Sequence, residues 1–232
     1  MIRDRGPVVA LDGPGSSGKS SVGAAVAAAL GARFLDTGLL YRALTWLSLE
    51  RGLEPEDAGA IALLAVEIDL RADESGRLAR VVVGGRDVAD RIRTQRVDRA
   101  VSAVACKAEV RAALMGRQRA IAAAGAIVVA GRDIGSVVLP DADVKVWLDA
   151  SAEERAARRA RERGIVPASS AGRAILEDLR RRDLADGSRD VSPSRAADDA
   201  VHVRTDGNSF ETTVAAVLAV VRSAMAANGS PP

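Results

Sequence analysis

The sequence predicts an α/β fold in which helices cover both faces of a central parallel β-sheet. Short apolar runs, typical of buried strands, alternate with longer helical segments along the 232 residues. Repeated alternation of strand and helix indicates a parallel sheet, because parallel strands need a crossover connection, usually a helix. Hydrophobic residues make up 48% of the chain and charged residues 28%, so the chain has enough apolar material for a sizeable core.

Each predicted strand is short and apolar, and most of them end in polar or glycine-rich sequence. The predicted strands cover 7–12, 33–36, 126–131, 143–149 and 200–205. The predicted helices cover 20–31, 38–52, 55–67, 94–105, 107–124, 151–164, 173–186 and 209–227. Ser151 and Glu154 have the spacing of a capping box, and 165–172 is predicted to be a loop. In such folds, ligands bind at the carboxyl ends of the strands.

One segment departs from this alternation. Residues 68–88 contain strand-like pieces separated by Ser-Gly and Gly-Gly turns. Two short runs joined by a glycine-containing turn are typical of a hairpin. The segment is therefore predicted to be a small antiparallel insertion.

Composition favours a cytoplasmic protein. The sequence has no run of eighteen apolar residues that would span a membrane, and its N-terminus lacks the apolar core of a signal peptide. Cys106, the one cysteine, cannot form an internal disulfide and is expected to be buried. Aromatic residues make up 2% and no basic stripe is present, which argues against a nucleic acid partner.

The stretch "LDGPGSSGKSS" carries the strongest motif. It matches G-x-x-x-x-G-K-[ST] in full, between a predicted strand and a predicted helix. In such a loop, backbone amides and the helix N-terminus surround a polyphosphate, the lysine contacts the β and γ phosphates, and the serine hydroxyl binds Mg²⁺. The motif predicts that ATP is bound by Gly13, Pro14, Gly15, Ser16, Ser17, Gly18, Lys19, Ser20 and Ser21, with Ser20 on the metal.

Three classes of nucleotide-binding protein share this loop. A GTPase would need a guanine-reading N-K-x-D, and neither Asn208 nor Asn228 is followed by lysine. A transport-type ATPase would need an L-S-G-G-Q-like signature, which the sequence lacks. A small-molecule kinase needs a second anionic site near the γ phosphate, so it predicts arginines at the ends of other strands.

Those arginines are present. Thr37 and Arg42 follow the second predicted strand, and Arg132 and Asp133 follow the third. Because the carboxyl ends of parallel strands meet at one edge of the sheet, we expect these side chains beside the phosphate loop. A further charged stretch, "RRRDLADGSR", lies at the end of a predicted helix.

Together these stretches resemble the bacterial cytidylate kinases, which are P-loop nucleoside monophosphate kinases. The matching pieces include "DGPGSSGKSS", "FLDTGLLYR", "IRTQRVDRAVSAVA", "GRDIGSVVLPDADVKVWLDAS" and "RRDLADGSR", in the family's order. The resemblance implies a P-loop kinase fold and transfer of a phosphoryl group from ATP, with Mg²⁺, to CMP or dCMP. It also implies one domain over 1–232, with a core (about 7–37, 106–154 and 190–227), a monophosphate-binding part (about 38–105) and a helical lid (about 155–172).

The resemblance also assigns roles to individual residues. Its cytosine contacts correspond to Ser102, Arg111, Asp133 and Arg189. Its ribose contacts correspond to Arg182 and Asp186, and its phosphate contacts to Arg42 and Arg132, with Thr37 and Tyr41 nearby. Its catalytic cations correspond to Lys19, Arg132, Arg158 and Arg159.

Two alternatives stay open at this point. One is another P-loop small-molecule or nucleotide kinase on the same core, and the other is a nucleotide-binding regulatory protein without phosphoryl transfer. The resemblance does not decide which lid arginine reaches the transferred phosphoryl group. We expect a monomer whose partners are ATP and CMP or dCMP, with no nucleic acid or membrane partner.

Overall fold

Five parallel strands form the central sheet of the computed structural model, which describes residues 6–187 and 194–227. The strands are β1 (Val8–Asp12), β2 (Arg33–Asp36), β6 (Ile127–Ala130), β7 (Val144–Asp149) and β8 (Val201–Arg204). Their spatial order is β2-β6-β1-β7-β8, and every neighbouring pair is parallel. The α/β fold class predicted from the alternating pattern is therefore confirmed.

Eight helices pack around this sheet and around a smaller second one in the described part of the chain. They are α1 (Lys19–Ala29), α2 (Gly38–Glu50), α3 (Ala58–Leu63), α4 (Gln95–Ala105), α5 (Ala108–Ala123), α6 (Ala152–Glu162), α7 (Ser170–Gly187) and α8 (Phe210–Ala227).

The central strand β1 is buried on both faces, which explains its unbroken apolar run. Val9 and Leu11 pack in the cluster that α1 and α8 cover, whereas Val8 and Ala10 pack in the cluster on the opposite face, toward α5. Successive side chains of a strand point to opposite faces, so a strand covered on both sides must be apolar at every position.

The predicted insertion is a three-stranded antiparallel sheet. It consists of β3 (Ile68–Ala72), β4 (Leu78–Val83) and β5 (Arg86–Asp87), with β4 in the middle. Ile68 and Val81 of this sheet pack with α2, α3 and α5 in a separate apolar cluster. The insertion therefore has its own core beside the central sheet.

Two predicted boundaries were wrong. The segment 55–67 is not one helix, since α3 ends at Leu63 and a 3₁₀ turn follows over Leu64–Glu67. Leu63 and Val66 are 75% and 81% exposed, so they add no buried face that would hold a longer helix. The predicted loop 165–172 ends early, because the Ser169 hydroxyl accepts a hydrogen bond from the Gly172 amide at 3.1 Å and begins α7.

The capping box at α6 is half correct. The Ser151 hydroxyl accepts a hydrogen bond from the Glu154 amide at 3.2 Å, as predicted. The amide of Ser151 donates instead to Asp206 at 3.0 Å, and the Glu154 carboxylate accepts from Arg158. A carboxylate from another element therefore completes the cap of α6.

The expected burial of Cys106 was wrong as well. Cys106 is exposed, because it lies at the C-terminal cap of α4 rather than on that helix's buried face with Val97 and Val104. Its thiol donates to the carbonyl of Ala103.

Helix α8 is long and apolar enough to cross a membrane by length and composition alone, with 18 residues and a mean hydropathy of 1.4. It carries Glu211 and Arg222, and Val217 and Val221 pack fully buried against the central sheet. The apolar character of α8 is therefore used at least in part for packing on the sheet.

Gly23 in α1 lies where no side chain fits. A Cβ at Gly23 would lie 2.5 Å from Cε2 of Phe34. We expect Gly23→Ala to lower the free energy of unfolding by about 1–3 kcal/mol through overpacking. Gly116→Ala in α5 is the matched control: nothing lies within 4 Å of its Cβ position, so it should raise the free energy of unfolding by about 0.5–1 kcal/mol. Urea unfolding of both variants checks this, and equal effects would contradict it.

Candidate functional site

A cavity of about 620 Å³ opens at the carboxyl edge of β1, β2 and β6. The phosphate loop forms one wall, and residues 130–133 after β6 form the floor beside it. The remaining walls come from α2, α4, α6 and α7. The edge predicted to collect the ligand-binding residues is therefore a single open site.

The phosphate loop follows β1 in a tightly constrained path. Gly13 passes so close to β7 that a Cβ there would lie 2.2 Å from the carbonyl oxygen of Leu148, which no side chain tolerates. Ser16 has φ 61°, a conformation that L-residues adopt at a cost of about 1–3 kcal/mol and that surrounding contacts must hold. Lys19, Ser20, Gly15 and Ser16 line the cavity.

Lys19 lies in a positively charged and poorly hydrated position. Its Nζ donates to the Pro14 carbonyl at 2.6 Å and approaches the Ser17 hydroxyl at 3.3 Å. Removal from water and, after it, the charge of Arg132 together lower the pKa of Lys19 to about 7, against the opposing effect of Asp36. A bound polyphosphate would supply the missing negative charge and favour the ammonium form.

Ser20 and Asp36 form a pair of oxygen donors at the mouth of the loop. The Ser20 hydroxyl donates to one carboxylate oxygen of Asp36 at 2.6 Å, and the other accepts from the Gly38 amide at 3.0 Å. Oxygen ligands of this kind suit Mg²⁺, which takes one or two protein ligands and completes its shell with phosphate oxygens and water.

Asp12, at the end of β1, is a buried carboxylate beside the site whose contacts the loop motif did not predict. It is 4% exposed, and its two carboxylate oxygens accept from the amides of Ile134 and Gly135 at 2.8 and 2.7 Å. Burial raises the pKa of Asp12 to about 6, although the two amides oppose the shift. The carboxylate thus joins the phosphate loop to the loop that carries Arg132 and Asp133.

Thr37 and Arg42, which follow β2, are each held in place by hydrogen bonds. The Thr37 hydroxyl donates to the Ala130 carbonyl at 2.9 Å, which ties β2 to β6 at the cavity floor. Arg42 donates to the Asp98 carboxylate at 2.6 Å and to the Ile92 carbonyl at 3.2 Å. An anion that approaches Arg42 therefore also meets the negative charge of Asp98.

Arg111 and Asp133 form a buried ion pair deep in the cavity. Their side chains are 3% and 8% exposed. The Arg111 guanidinium also lies over the Tyr41 ring, 5.8 Å from its centroid. A buried donor fork beside a buried acceptor can read the polar edge of a planar ligand. Ser102 of α4 lines the same part of the cavity.

Comparison with known proteins decides the family. The family model described as cytidylate kinase matches residues 9–223. The chain belongs to the cytidylate kinase family. A cytidylate kinase of Mycolicibacterium paratuberculosis is 49% identical over 199 residues, which cover 85% of this chain and 87% of that protein. One of Herpetosiphon aurantiacus is 43% identical over 217 residues, which cover 92% and 93%.

A solved structure shows the same fold at low identity. A gluconokinase from Sinorhizobium meliloti aligns over 97% of each chain with a TM-score of 0.50 and 18% identity. At that identity the likeness concerns the fold alone.

Most site residues expected from the cytidylate kinase resemblance meet in the cavity. Those that line it are Lys19, Ser20, Thr37, Tyr41, Arg42, Ser102, Arg111, Arg132, Asp133, Arg159 and Arg182. Arg189 lies outside the described residues, and so does the side chain of Asp186. Their roles in the cytidylate kinase family stay predictions.

The two predicted lid arginines of α6 have different surroundings. Arg159 lines the cavity, whereas Arg158 is not among the residues that line it. Arg158 donates to Glu154 at 3.0 Å and to the hydroxyl and carbonyl of Thr205 at 3.0 and 2.6 Å.

Arg155, which the sequence reasoning missed, donates to the Gly15 carbonyl in the phosphate loop at 3.0 Å. Its position four residues before Arg159, on the same helical face, is the signal that could have identified it.

The raised pKa of Asp12 gives a testable pH dependence. A folded-state pKa near 6, against 3.8 in the unfolded chain, means that the folded protein binds more protons between these values. The stability contributed by Asp12 is therefore fully present below pH 3.8 and is lost as pH rises through 6. We expect the unfolding free energy of the wild type, minus that of Asp12→Asn, to fall by about 2–3 kcal/mol between pH 4 and 7. Denaturant titrations at several pH values measure this difference in unfolding free energy. A difference that does not change with pH would contradict the raised pKa of Asp12.

Proposed function

We propose that this protein transfers the γ-phosphoryl group of ATP to CMP or dCMP, giving ADP and CDP or dCDP. The observation that carries the proposal is the single cavity that joins Lys19 of the phosphate loop to the buried Arg111–Asp133 pair. A donor site and a base-reading site in one cavity are what direct transfer between two nucleotides requires. Membership of the cytidylate kinase family supports the same reaction.

The donor end of the cavity suits a triphosphate with Mg²⁺. Lys19 would place a positive charge on the β and γ phosphates, and the loop amides would bind the remaining oxygens. Ser20 and Asp36 would hold Mg²⁺, which neutralises charge on the phosphates when bound. The pKa of Lys19 near 7 fits a lysine that is fully charged only beside an anion.

The acceptor end suits cytosine. The Asp133 carboxylate can accept a hydrogen bond from the cytosine amino group, and Arg111 can donate to the ring's acceptors. Uracil presents a carbonyl where cytosine has its amino group, so it would face a carboxylate with no proton to share. A buried polar group without a partner carries a large penalty, which supports selection of cytosine.

The acceptor phosphate would lie between Arg42 and Arg132. Arg42 is already paired with Asp98, so the phosphate has to share this cation with a carboxylate. Arg132 follows β6 directly, and its guanidinium lies beside Gly15, since a Cβ on Gly15 would lie 3.3 Å from one of its nitrogens. Arg132 is therefore the residue best placed to contact both the acceptor phosphate and the transferred group.

Transfer needs positioning and charge neutralisation rather than a general base. The attacking oxygen belongs to a phosphate, which carries negative charge at neutral pH and needs no deprotonation. Charge spread over the transferred group would be stabilised by Lys19, Arg132 and Arg159. Closure of α6 and α7 over the cavity would exclude water, which would otherwise hydrolyse ATP.

We further propose a cytoplasmic monomer that acts on free nucleotides, without a membrane or nucleic acid partner. The low aromatic content, 2%, leaves few side chains on which bases of a strand could stack. The packing of Val217 and Val221 against the sheet supports α8 as a helix of the folded core.

Product analysis tests the proposed reaction. The protein is incubated with ATP, Mg²⁺ and CMP, dCMP or UMP in turn, and nucleotides are separated by chromatography. We expect CDP or dCDP in amounts equal to ADP, with UMP a much poorer acceptor because of Asp133. Comparable rates for UMP would contradict the role of Asp133, and absence of CDP would contradict the reaction itself.

A second test distinguishes the two lid arginines. Arg159→Ala is expected to lower kcat by about 10²–10³-fold, because it removes a cation that faces the transferred group. Arg158→Ala should instead lower the free energy of unfolding by about 1–2 kcal/mol, since it leaves Thr205 and Glu154 without their partner. Steady-state kinetics and thermal unfolding of both variants check this. A larger loss of kcat in Arg158→Ala than in Arg159→Ala would reverse the assignment.

A further inference from the structure

Arg155 joins the two lid helices to the phosphate loop. Its side chain on α6 is 5% exposed, and its guanidinium donates to three partners. It reaches the Gly15 carbonyl at 3.0 Å, both carboxylate oxygens of Asp183 on α7 at 3.2 and 2.6 Å, and the Ala150 carbonyl at 3.0 Å. A buried guanidinium with this many fixed contacts allows little movement of any of them.

The contact with Gly15 controls the orientation of one peptide unit of the loop. The Gly15–Ser16 peptide is planar and trans, so the Ser16 N–H points away from the Gly15 carbonyl. By holding that carbonyl, Arg155 keeps the Ser16 N–H turned away from α6. Ser16 has φ 61°, so the loop needs such an external contact to stay in this conformation. Phosphate binding depends on amides that face the ligand and carbonyls that face elsewhere.

The contact with Asp183 connects the same arginine to the acceptor side. Asp183 lies next to Arg182 on α7, and both line the cavity. Arg182 is one of the residues expected to contact the acceptor ribose. A movement of α7 onto the acceptor would therefore act directly on Arg155, and through it on Gly15.

We propose that the Arg155–Asp183 pair is a positioning device that couples acceptor binding to the conformation of the phosphate loop. This proposal rests on the proposed function, since it takes CMP as the ligand that α7 closes upon. Binding of CMP fixes α7, Asp183 then fixes Arg155, and Arg155 holds the Gly15–Ser16 peptide in its phosphate-binding orientation. By thermodynamic linkage, the ATP site and the CMP site each tighten when the other is filled.

A second ion pair between the same helices provides the control. Arg180 of α7 contacts Glu153 of α6, but these side chains are 56% and 61% exposed and pair with each other rather than with the loop. Exposed pairs of this kind contribute little to stability. Removing the Glu153 charge should therefore leave the coupling intact, whereas removing the Asp183 charge should abolish it.

The experiment measures the affinity for a non-transferable ATP analogue with Mg²⁺, in the absence and presence of saturating CMP, by calorimetry. We expect the wild type to bind the analogue about fivefold or more tightly with CMP. Asp183→Asn should bind it equally in both conditions, and Glu153→Gln should behave like the wild type. In the presence of CMP, Asp183→Asn should also raise KM for ATP more than it lowers kcat.

Two further variants make the result decisive. Arg155→Lys keeps the charge but cannot hold Gly15 and Asp183 together, so it should lose the coupling while keeping a thermal unfolding temperature close to that of Asp183→Asn. The double variant Arg155→Lys/Asp183→Asn should lose no more of the coupling than either single variant. Coupling that survives in Asp183→Asn, or that disappears equally in Glu153→Gln, overturns the proposal. Wild-type protein that binds CMP without coupling also overturns it, whereas failure to bind CMP at all overturns the proposed function instead.

Discussion

The buried carboxylate of Asp12 is the contact on which the geometry of the site depends. It ends β1, which is buried over its whole length, and accepts hydrogen bonds from the amides of Ile134 and Gly135, so it fixes the phosphate loop relative to the loop that carries Arg132 and Asp133. A carboxylate this far from water is unfavourable, as its raised pKa shows. The fold tolerates this penalty where the phosphate loop and the loop that carries Arg132 and Asp133 must keep a fixed distance.

The charges around the cavity are arranged for an anion that bridges its two ends. Lys19, Arg132 and Arg159 all line this cavity, and the charge of Arg132 is, after burial, the second cause of the lowered pKa of Lys19. Two other cations that line the cavity are held by carboxylates: Arg42 by Asp98 and Arg111 by Asp133. Bound phosphates would be attracted to these cations and would favour the charged form of Lys19.

The sequence predicted what depends on local pattern. Alternating apolar runs predicted the parallel sheet, the Gly-rich turns of 68–88 predicted the antiparallel insertion, and the loop motif predicted the cavity wall from Gly15 to Ser20. Three features depend on contacts between distant segments, and the sequence did not predict them. Asp12 precedes the motif without belonging to it, and the pairing of Arg42 with Asp98 crosses from α2 to α4.

The third feature is the direction of the arginines on α6. The run "EERAARRARERG" offers a choice of arginines, and only the helical phase separates those that face the cavity from those that do not. Arg155 and Arg159 are four residues apart and share a face, whereas Arg158 points to Thr205. Ala156 and Ala160 are buried and lie on the face by which α6 packs against the protein. Their positions in the sequence could have predicted which way each arginine points.

The central claim is that the cavity delivers the phosphoryl group to an acceptor and not to water. The most direct test is the rate of ADP release from saturating ATP and Mg²⁺, measured first without and then with CMP. The account predicts slow release without CMP and release at least about 100-fold faster with it, because closure over both nucleotides excludes water and aligns the reacting groups. Equal rates under the two conditions would indicate an ATPase and would contradict the assignment of the second site.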